Sequence, residues 1–250
     1  MIDIHSHLLP GVDDGSPSVA ASVPVLERFA SHGVEVLVLT PHLNASQAAR
    51  APYEAHMEKL AELRAAAPAL PELVLGWEIM LDEPRVDLRD PRLGLGGAKC
   101  VLVEFPRNAV PVQAAEELYR IRVSGIVPVL AHPERYWGCT PEKVREWRAA
   151  GAVIQMDTAG LLGSGEVSRV SRALLEQGLV DLFASDNHGD SRSLKTARTW
   201  LTEVATPDHA TLLTRTNARR LLDGTPLLPV PPLPKQGGMF ERLRALFLRR

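Results

Sequence analysis

Seven short runs dominated by Val, Ile and Leu recur along the chain, and helix-like stretches separate them. Near-continuous apolar runs suit strands buried on both faces, and their alternation with helices is the pattern of βα units around a parallel sheet. The runs lie near residues 2–5, 35–40, 73–76, 99–105, 127–131, 153–156 and 181–185. Helices are expected over about 53–66, 114–124, 167–177, 195–204 and 217–222, with Gly125, Gly178 and Gly224 as stops. Ser16-Pro17 and Thr140-Pro141-Glu142 each set a capping hydroxyl before a proline. They are expected to open helices ending near His32-Gly33 and Gly151. Seven strands with intervening helices predict an α/β fold close to a (β/α) barrel, with irregularities. A chain of 250 residues suits one such domain.

The body is expected to span residues 1–224. Residues 225–238 hold Pro226, Pro229, Pro231, Pro232 and Pro234 and read as an extended linker. Residues 239–250 read as a short basic amphipathic helix, with Met239, Phe240, Leu243, Leu246 and Phe247 on one face and Arg242, Arg244, Arg249 and Arg250 elsewhere. That composition suits peripheral contact with a membrane, or docking on the barrel or a partner subunit. The 28 basic and 30 acidic residues nearly balance, so no nucleic-acid partner is expected. Two cysteines make no disulfide framework, Met-Ile-Asp-Ile-His has neither region of a signal peptide, and no apolar run is long enough to span a bilayer. The expected location is the cytoplasm.

The chemistry sits where the runs end. His5-Ser6-His7 leaves the first run, and in extended chain both imidazoles can reach one ion. His42 ends the second, Glu78 follows the third, and Glu104 closes the fourth within Val103-Glu104-Phe105. His132, Glu134 and Arg135 follow the fifth, and Asp186 and His188 follow the seventh. In a parallel barrel these ends converge on one rim. Taken singly, each has a plain alternative: Glu104 a buried ion-pair member, His42 or His132 a core histidine, Asp13 and Asp14 turn residues. Together they are hard to explain without a metal, although Asp13 is left to the turn. Mixed imidazole and carboxylate groups suit Mn, Fe or Zn better than an all-oxygen Mg site. Clustered divalent ions lower the pKa of bound water and neutralise phosphate oxygens, so metal-assisted phosphomonoester hydrolysis is expected. Arg135 can clamp a phosphate, or pair with Glu134 at the surface.

Cys139-Thr140-Pro141-Glu142-Lys143-Val144-Arg145 fits the C-x5-R spacing of cysteine-dependent phosphatases. Pro141 removes an N–H, Glu142 repels phosphate, and the segment already reads as a helix start, so the thiol is not expected to be a nucleophile. Cys100 is read as core. His32, His56 and His209 are read as surface residues. Trp77 and Trp137 are read as packing residues first and substrate contacts second.

The motifs also resemble a family. His5-Ser6-His7-Leu8-Leu9-Pro10-Gly11-Val12-Asp13-Asp14-Gly15, Thr40-Pro41-His42, Ala131-His132-Pro133-Glu134-Arg135-Tyr136 and Ala184-Ser185-Asp186-Asn187-His188 are similar to the polymerase-and-histidinol-phosphatase (PHP) superfamily. They resemble in particular its bacterial protein-tyrosine phosphatases of capsule and exopolysaccharide operons. The resemblance covers about residues 1–224 and implies a distorted (β/α)7 TIM-like barrel with three divalent metal ions, manganese foremost. Position by position, it implies that His5, His7, Glu78 and Asp186 hold one ion. Glu78 bridges to a second, shared with Glu104 and His132, while Asp14, His42 and His188 hold the third. Arg135 binds the phosphate and, with Asp186, takes part in catalysis by direct attack of a metal-bound hydroxide. The implied substrate is a phosphotyrosine protein, the membrane-associated tyrosine kinase that controls polysaccharide synthesis. Two alternatives remain: a small-molecule phosphatase of the histidinol-phosphatase type, and a non-catalytic metal-binding scaffold. Glu104 and Asp14, where many small-molecule members carry histidine, favour the tyrosine phosphatase, and the complete ligand set argues against the scaffold.

Overall fold

The computed structural model describes residues 1–163 and 165–233. Among these residues, nine short parallel strands run in chain order: β1 Ile2–Asp3, β2 Val36–Leu39, β3 His42–Asn44, β4 Glu72–Leu75, β5 Glu78–Met80, β6 Cys100–Glu104, β7 Val127–Ala131, β8 Val153–Asp157 and β9 Leu182–Ala184. Their hydrogen-bonded orders are β1-β2-β4 and β3-β5-β6-β7-β8-β9. β3 resumes the path of β2 after Thr40-Pro41, and β5 resumes that of β4 after Gly76-Trp77, so nine strands trace seven paths. The ring returns to its start through the Ser6–Asn187 bridge. There the His7 N–H donates to the Asn187 carbonyl at 2.7 Å, and the Asp186 N–H to the His5 carbonyl at 3.0 Å. This is a (β/α)7 barrel distorted by two breaks.

The breaks have local causes. Pro41 brings no N–H to the ladder. At Gly76 a Cβ would stand 2.8 Å from a Leu95 methyl and 2.9 Å from a Val38 methyl, so the backbone passes too close to its neighbours for any side chain. Beyond the breaks the backbone bonds resume, with the Glu78 N–H donating to the Pro41 carbonyl at 3.1 Å.

Among the described residues, eight helices wrap the strands: α1 Val19–Ser31, α2 Tyr53–Ala66, α3 Ala114–Val123, α4 Pro141–Ala149, α5 Glu166–Glu176, α6 Leu194–Val204, α7 Pro207–Thr211 and α8 Asn217–Leu222. Thr140 caps α4 as expected, its hydroxyl accepting from the Lys143 N–H. The expectation for α1 is corrected. Its cap is Ser18, which accepts from the Ala21 N–H at 3.2 Å, while Ser16 is buried and accepts from the Ser22 hydroxyl at 2.7 Å. Pro17 therefore precedes the cap rather than following it.

Period-two alternation sorts the strand residues into two apolar layers. Ile2 and Ile4, Val36 and Val38, Cys100 and Leu102, Val129 and Ala131, Leu182 and Ala184 fill the barrel interior. Their neighbours Leu37, Leu39, Val101, Val103, Leu130 and Phe183 pack outward in the larger cluster that includes the helices. Continuing the inward parity by two residues reaches Glu104 on β6 and Asp186 after β9. The apolar plug thus ends where the charged groups begin.

Residues 225–233 carry no regular element, as a proline-rich stretch should, yet they pack on the barrel. The Asn217 side chain bonds both the N–H and the carbonyl of Leu228, at 2.9 and 3.0 Å. The Leu233 N–H donates to the Leu175 carbonyl at 3.0 Å, and Val230 and Leu233 are buried in the outer core. The helix expected over 239–250 lies outside the described residues. Among the described residues, no helix is long and apolar enough to cross a membrane.

Candidate metal centre

His5, His7, Asp14, His42, Glu78, Glu104, His132, Asp186 and His188 all converge at the rim formed by the C-terminal ends of the strands. The two carboxylates at the heart of the group are bound on every side. Glu78 Oε2 stands 3.3 Å from His5 Nε2, 3.2 Å from His7 Nε2 and 3.0 Å from His42 Nδ1, and its Oε1 is 2.8 Å from His132 Nε2. Asp186 Oδ1 lies 3.3 Å from both His5 Nε2 and His7 Nε2 and 3.5 Å from His188 Nδ1. Asp14 Oδ1 faces His42 Nε2 at 3.3 Å and His188 Nε2 at 3.5 Å. Glu104 is looser, 3.8 Å from His42 Nδ1 and 3.9 Å from His132 Nε2.

These spacings fit a metal. Ligand atoms about 2.1 Å from one ion stand about 3.0 Å apart at right angles and about 3.4 Å apart at the tetrahedral angle. His5 Nε2 and His7 Nε2 face each other at 3.1 Å, an arrangement a shared cation explains better than a hydrogen bond between two imidazoles. Charge agrees. Asp14, Glu78, Glu104 and Asp186 bring four negative charges, and Arg135 and Arg192, both in contact with Asp186, return two. Burial opposes ionisation of Glu78, but His5, His132 and His42 outweigh it and hold its carboxyl well below the usual range. Burial and the Glu78 charge instead push Glu104 up to about 7. Burial also lowers His132 to about 4, which keeps it neutral and able to bind a metal.

Local backbone sets the aim. His132 and Asp186 both sit at positive φ, 32° and 48°, where non-glycine residues are uncommon. Each turns the chain sharply at the end of β7 or β9. Exposure is graded: the His5 and Glu78 side chains are sealed, whereas His42 is 42% and Asp14 70% exposed. The centre opens to solvent on the Asp14–His42–His188 side.

Several groups at the site were not anticipated. Asp13 makes the expected turn, accepting from the Gly15 N–H at 3.0 Å, but its other oxygen holds His7 Nδ1 at 2.7 Å and so aims that ring. Gln155, in the middle of β8, does the same for His5 Nδ1 at 3.0 Å. Asp157 ends β8 and pairs with Arg135, which also reaches Asp186 at 2.7 Å. The surface pairing considered for Arg135 is thereby corrected. Glu134 is buried and accepts from the Asp157 N–H at 2.8 Å. Arg192, 3.0 Å from Asp186 Oδ2, is a second guanidinium that sequence reasoning missed, lying in the loop after His188.

Other expectations divide. Trp77 packs, fully buried, donating to the Arg92 carbonyl at 2.9 Å and stacking on His56. His56 is therefore not a surface residue. Trp137 does not pack: it is 80% exposed, one residue beyond Tyr136. His32 and His209 are partly exposed and hold the hydroxyls of Ser193 and Thr206. Cys100 and Cys139 are both buried and unbridged, and burial pushes each thiol up to about 12. A thiol held so high is not a nucleophile near neutrality. Cys139→Ser is accordingly expected to keep turnover within about twofold of the parent, measured as initial rates on a phosphotyrosine peptide. A phosphocysteine trapped at position 139 would overturn that expectation.

Residues 1–223 match the family model described as capsular polysaccharide synthesis, CpsB/CapC. The chain belongs to this family. It is 31% identical over 252 residues to the tyrosine-protein phosphatase YwqE of Bacillus subtilis (strain 168), covering 94% of this chain and 96% of that protein. It is 31% identical over 211 residues to the tyrosine-protein phosphatase CpsB of Streptococcus pneumoniae, covering 77% of this chain and 85% of the relative. A crystal structure from work on YwqE and CpsB, described there as unique metal-dependent tyrosine phosphatases, aligns with a TM-score of 0.73 at 26% identity. The alignment covers 95% of this chain and all of that one. The CpsB/CapC assignment agrees with the superfamily that the strand-end motifs resemble.

Proposed function

We propose that this chain is a metal-dependent protein-tyrosine phosphatase, and that the nine converging imidazoles and carboxylates hold its ions. The observation that carries the reading is their mutual spacing, mostly 2.8–3.5 Å, beside two guanidiniums. When bound, divalent ions would acidify a water, neutralise phosphate oxygens and stabilise the leaving phenolate. We propose three ions per chain, manganese foremost, in the grouping His5–His7–Glu78–Asp186, Glu78–Glu104–His132 and Asp14–His42–His188.

The chain's own residues supply the rest. Asp13 and Gln155 orient His7 and His5. Asp157 and Asp186 hold the Arg135 guanidinium at the rim, leaving its remaining N–H groups for the phosphate. Arg192 reaches the same Asp186 oxygen, Oδ2, at 3.0 Å. Substrate enters over the exposed Asp14–His42–His188 edge. A tyrosine leaving group, with a pKa of about 10, needs little help from a protein acid.

The proposed substrate is the phosphorylated membrane-associated tyrosine kinase of a capsule or exopolysaccharide operon, met from the cytoplasm. The basic segment 239–250 is proposed to favour that surface. The test is a substrate panel under Mn: phosphotyrosine peptide, phosphoserine peptide and histidinol phosphate. The proposal expects kcat/KM on the phosphotyrosine peptide to exceed the others by on the order of a hundredfold. Faster turnover of histidinol phosphate would instead make this a small-molecule phosphatase.

A further inference from the structure

A groove of about 710 Å³ opens beside the metal centre, between the chain leaving β5 and β6 and the first turns of α3. Its floor includes the buried side chains of Leu81 and Phe105. Phe105 directly follows Glu104, and the Leu81 N–H donates to the Glu104 carbonyl at 2.9 Å. Groove and centre therefore share the same strand ends, one on the outward parity and the other on the inward. A second tie fixes one wall to the rim: Asp82 accepts from both the N–H and the hydroxyl of Ser46, in the turn just after β3 and His42.

The rim of the groove is acidic. Glu117 is occupied by Arg120 and by the Arg85 N–H. Glu83 and Glu116 are exposed and have no ion pair or hydrogen bond among the described residues. With Asp82, Glu83, Glu116 and Glu117 against Arg85 and Arg120, the lining carries two excess negative charges. An apolar floor under a carboxylate rim suits one kind of side chain, a long aliphatic stem ending in a cation.

Resting on the phosphatase reading, we infer that this groove is a subsite for a lysine or arginine side chain of the phosphotyrosine substrate, within a few residues of the phosphotyrosine. The stem lies on Leu81 and Phe105, and the cationic head meets Glu83 and Glu116. The family's metal centre removes phosphate; this subsite selects which tyrosine is presented to it.

The experiment uses the full metal-loaded chain and phosphotyrosine peptides in which one Lys, or one Glu, is moved through the flanking positions. At one position Lys is expected to raise kcat/KM over Glu by about fivefold to tenfold, through KM, as two exposed charge pairs allow. In Glu83→Gln/Glu116→Gln that preference should vanish, with turnover of free phosphotyrosine unchanged. Equal rates for all peptides, or a preference that survives the double substitution, would overturn the subsite. Fluorescence anisotropy of the same peptides without phosphate decides the matter independently of turnover. Tighter binding of the Lys peptide, lost in the double variant, supports the subsite even if phosphotyrosine is not hydrolysed. Equal binding of Lys and Glu peptides overturns it.

Discussion

Asp186→Ala is expected to lower turnover of a phosphotyrosine peptide by on the order of a thousandfold or more and to remove at least one bound metal ion per chain. Asp186 touches more of the centre than any carboxylate except Glu78, meeting His5, His7 and His188 through one oxygen and Arg192 through the other, with Arg135 at 2.7 Å. Burial opposes its ionisation, but His5, His7 and Arg135 outweigh that and hold the carboxyl far below the ordinary range. Its removal leaves Glu78 as the one carboxylate of the centre in contact with both His5 and His7 and takes an anionic partner from Arg135 and Arg192 at once. Asp186→Asn separates charge from shape. Asparagine tolerates the positive φ of 48° and keeps the shape, but it offers one acceptor oxygen where the carboxylate offers two and carries no charge, so this variant should fold yet remain as inactive as the alanine. Elemental analysis beside initial rates checks both. An active Asp186→Asn enzyme with full metal content would contradict this role.

Arg135→Ala is expected to reduce kcat/KM by about a hundredfold to a thousandfold, the range for losing one preorganised donor to a transition state. The side chain is 15% exposed, pinned by Asp157 beneath it and Asp186 beside it. Those contacts anchor the guanidinium through Nη2 and leave its other N–H groups free, and an ammonium reproduces neither the planar fork nor its paired N–H groups. Arg135→Lys should therefore recover less than a tenth of the lost rate while keeping the buried carboxylates balanced. Inhibition by inorganic phosphate should weaken in parallel. Undiminished phosphate inhibition in both variants would transfer the anion contact to Arg192.

The barrel was readable because both layers are written in plain alternation of Val, Ile and Leu, and β7 spans the very residues expected, Val127–Ala131. β3 and β5 were not readable, since His-Leu-Asn and Glu-Ile-Met carry no apolar run and owe their pairing to strands that precede them. Eight of the nine converging groups were readable because they lie at or just after the ends of the apolar runs, and a parallel barrel brings strand ends together; Asp14, in the loop before α1, was marked only by the family resemblance. The groups that orient them were not readable. Gln155 lies inside a run that reads as ordinary core, marked only by the oddity of a glutamine between Ile154 and Met156, and Asp157 directly follows that run and was passed over. For Arg135 the sequence offered a phosphate clamp or, as the plainer alternative, a surface pair with its neighbour Glu134, and that pair does not form. The left-handed turn at His132 instead sends Glu134 inward to the Asp157 N–H and leaves Arg135 over the centre. A conformation of that kind at a single residue has no signature in composition or periodicity.

The central claim is that these side chains hydrolyse phosphotyrosine only when they hold divalent metal. The measurement that tests it most directly is reconstitution. The purified chain is stripped with a chelator, Mn is returned in steps, and metal content and phosphotyrosine peptide hydrolysis are read on the same samples. No turnover is expected from the stripped chain, with recovery that rises with bound metal to a plateau near three ions per chain. Stripped protein that turns over the peptide at the parent rate would contradict that claim.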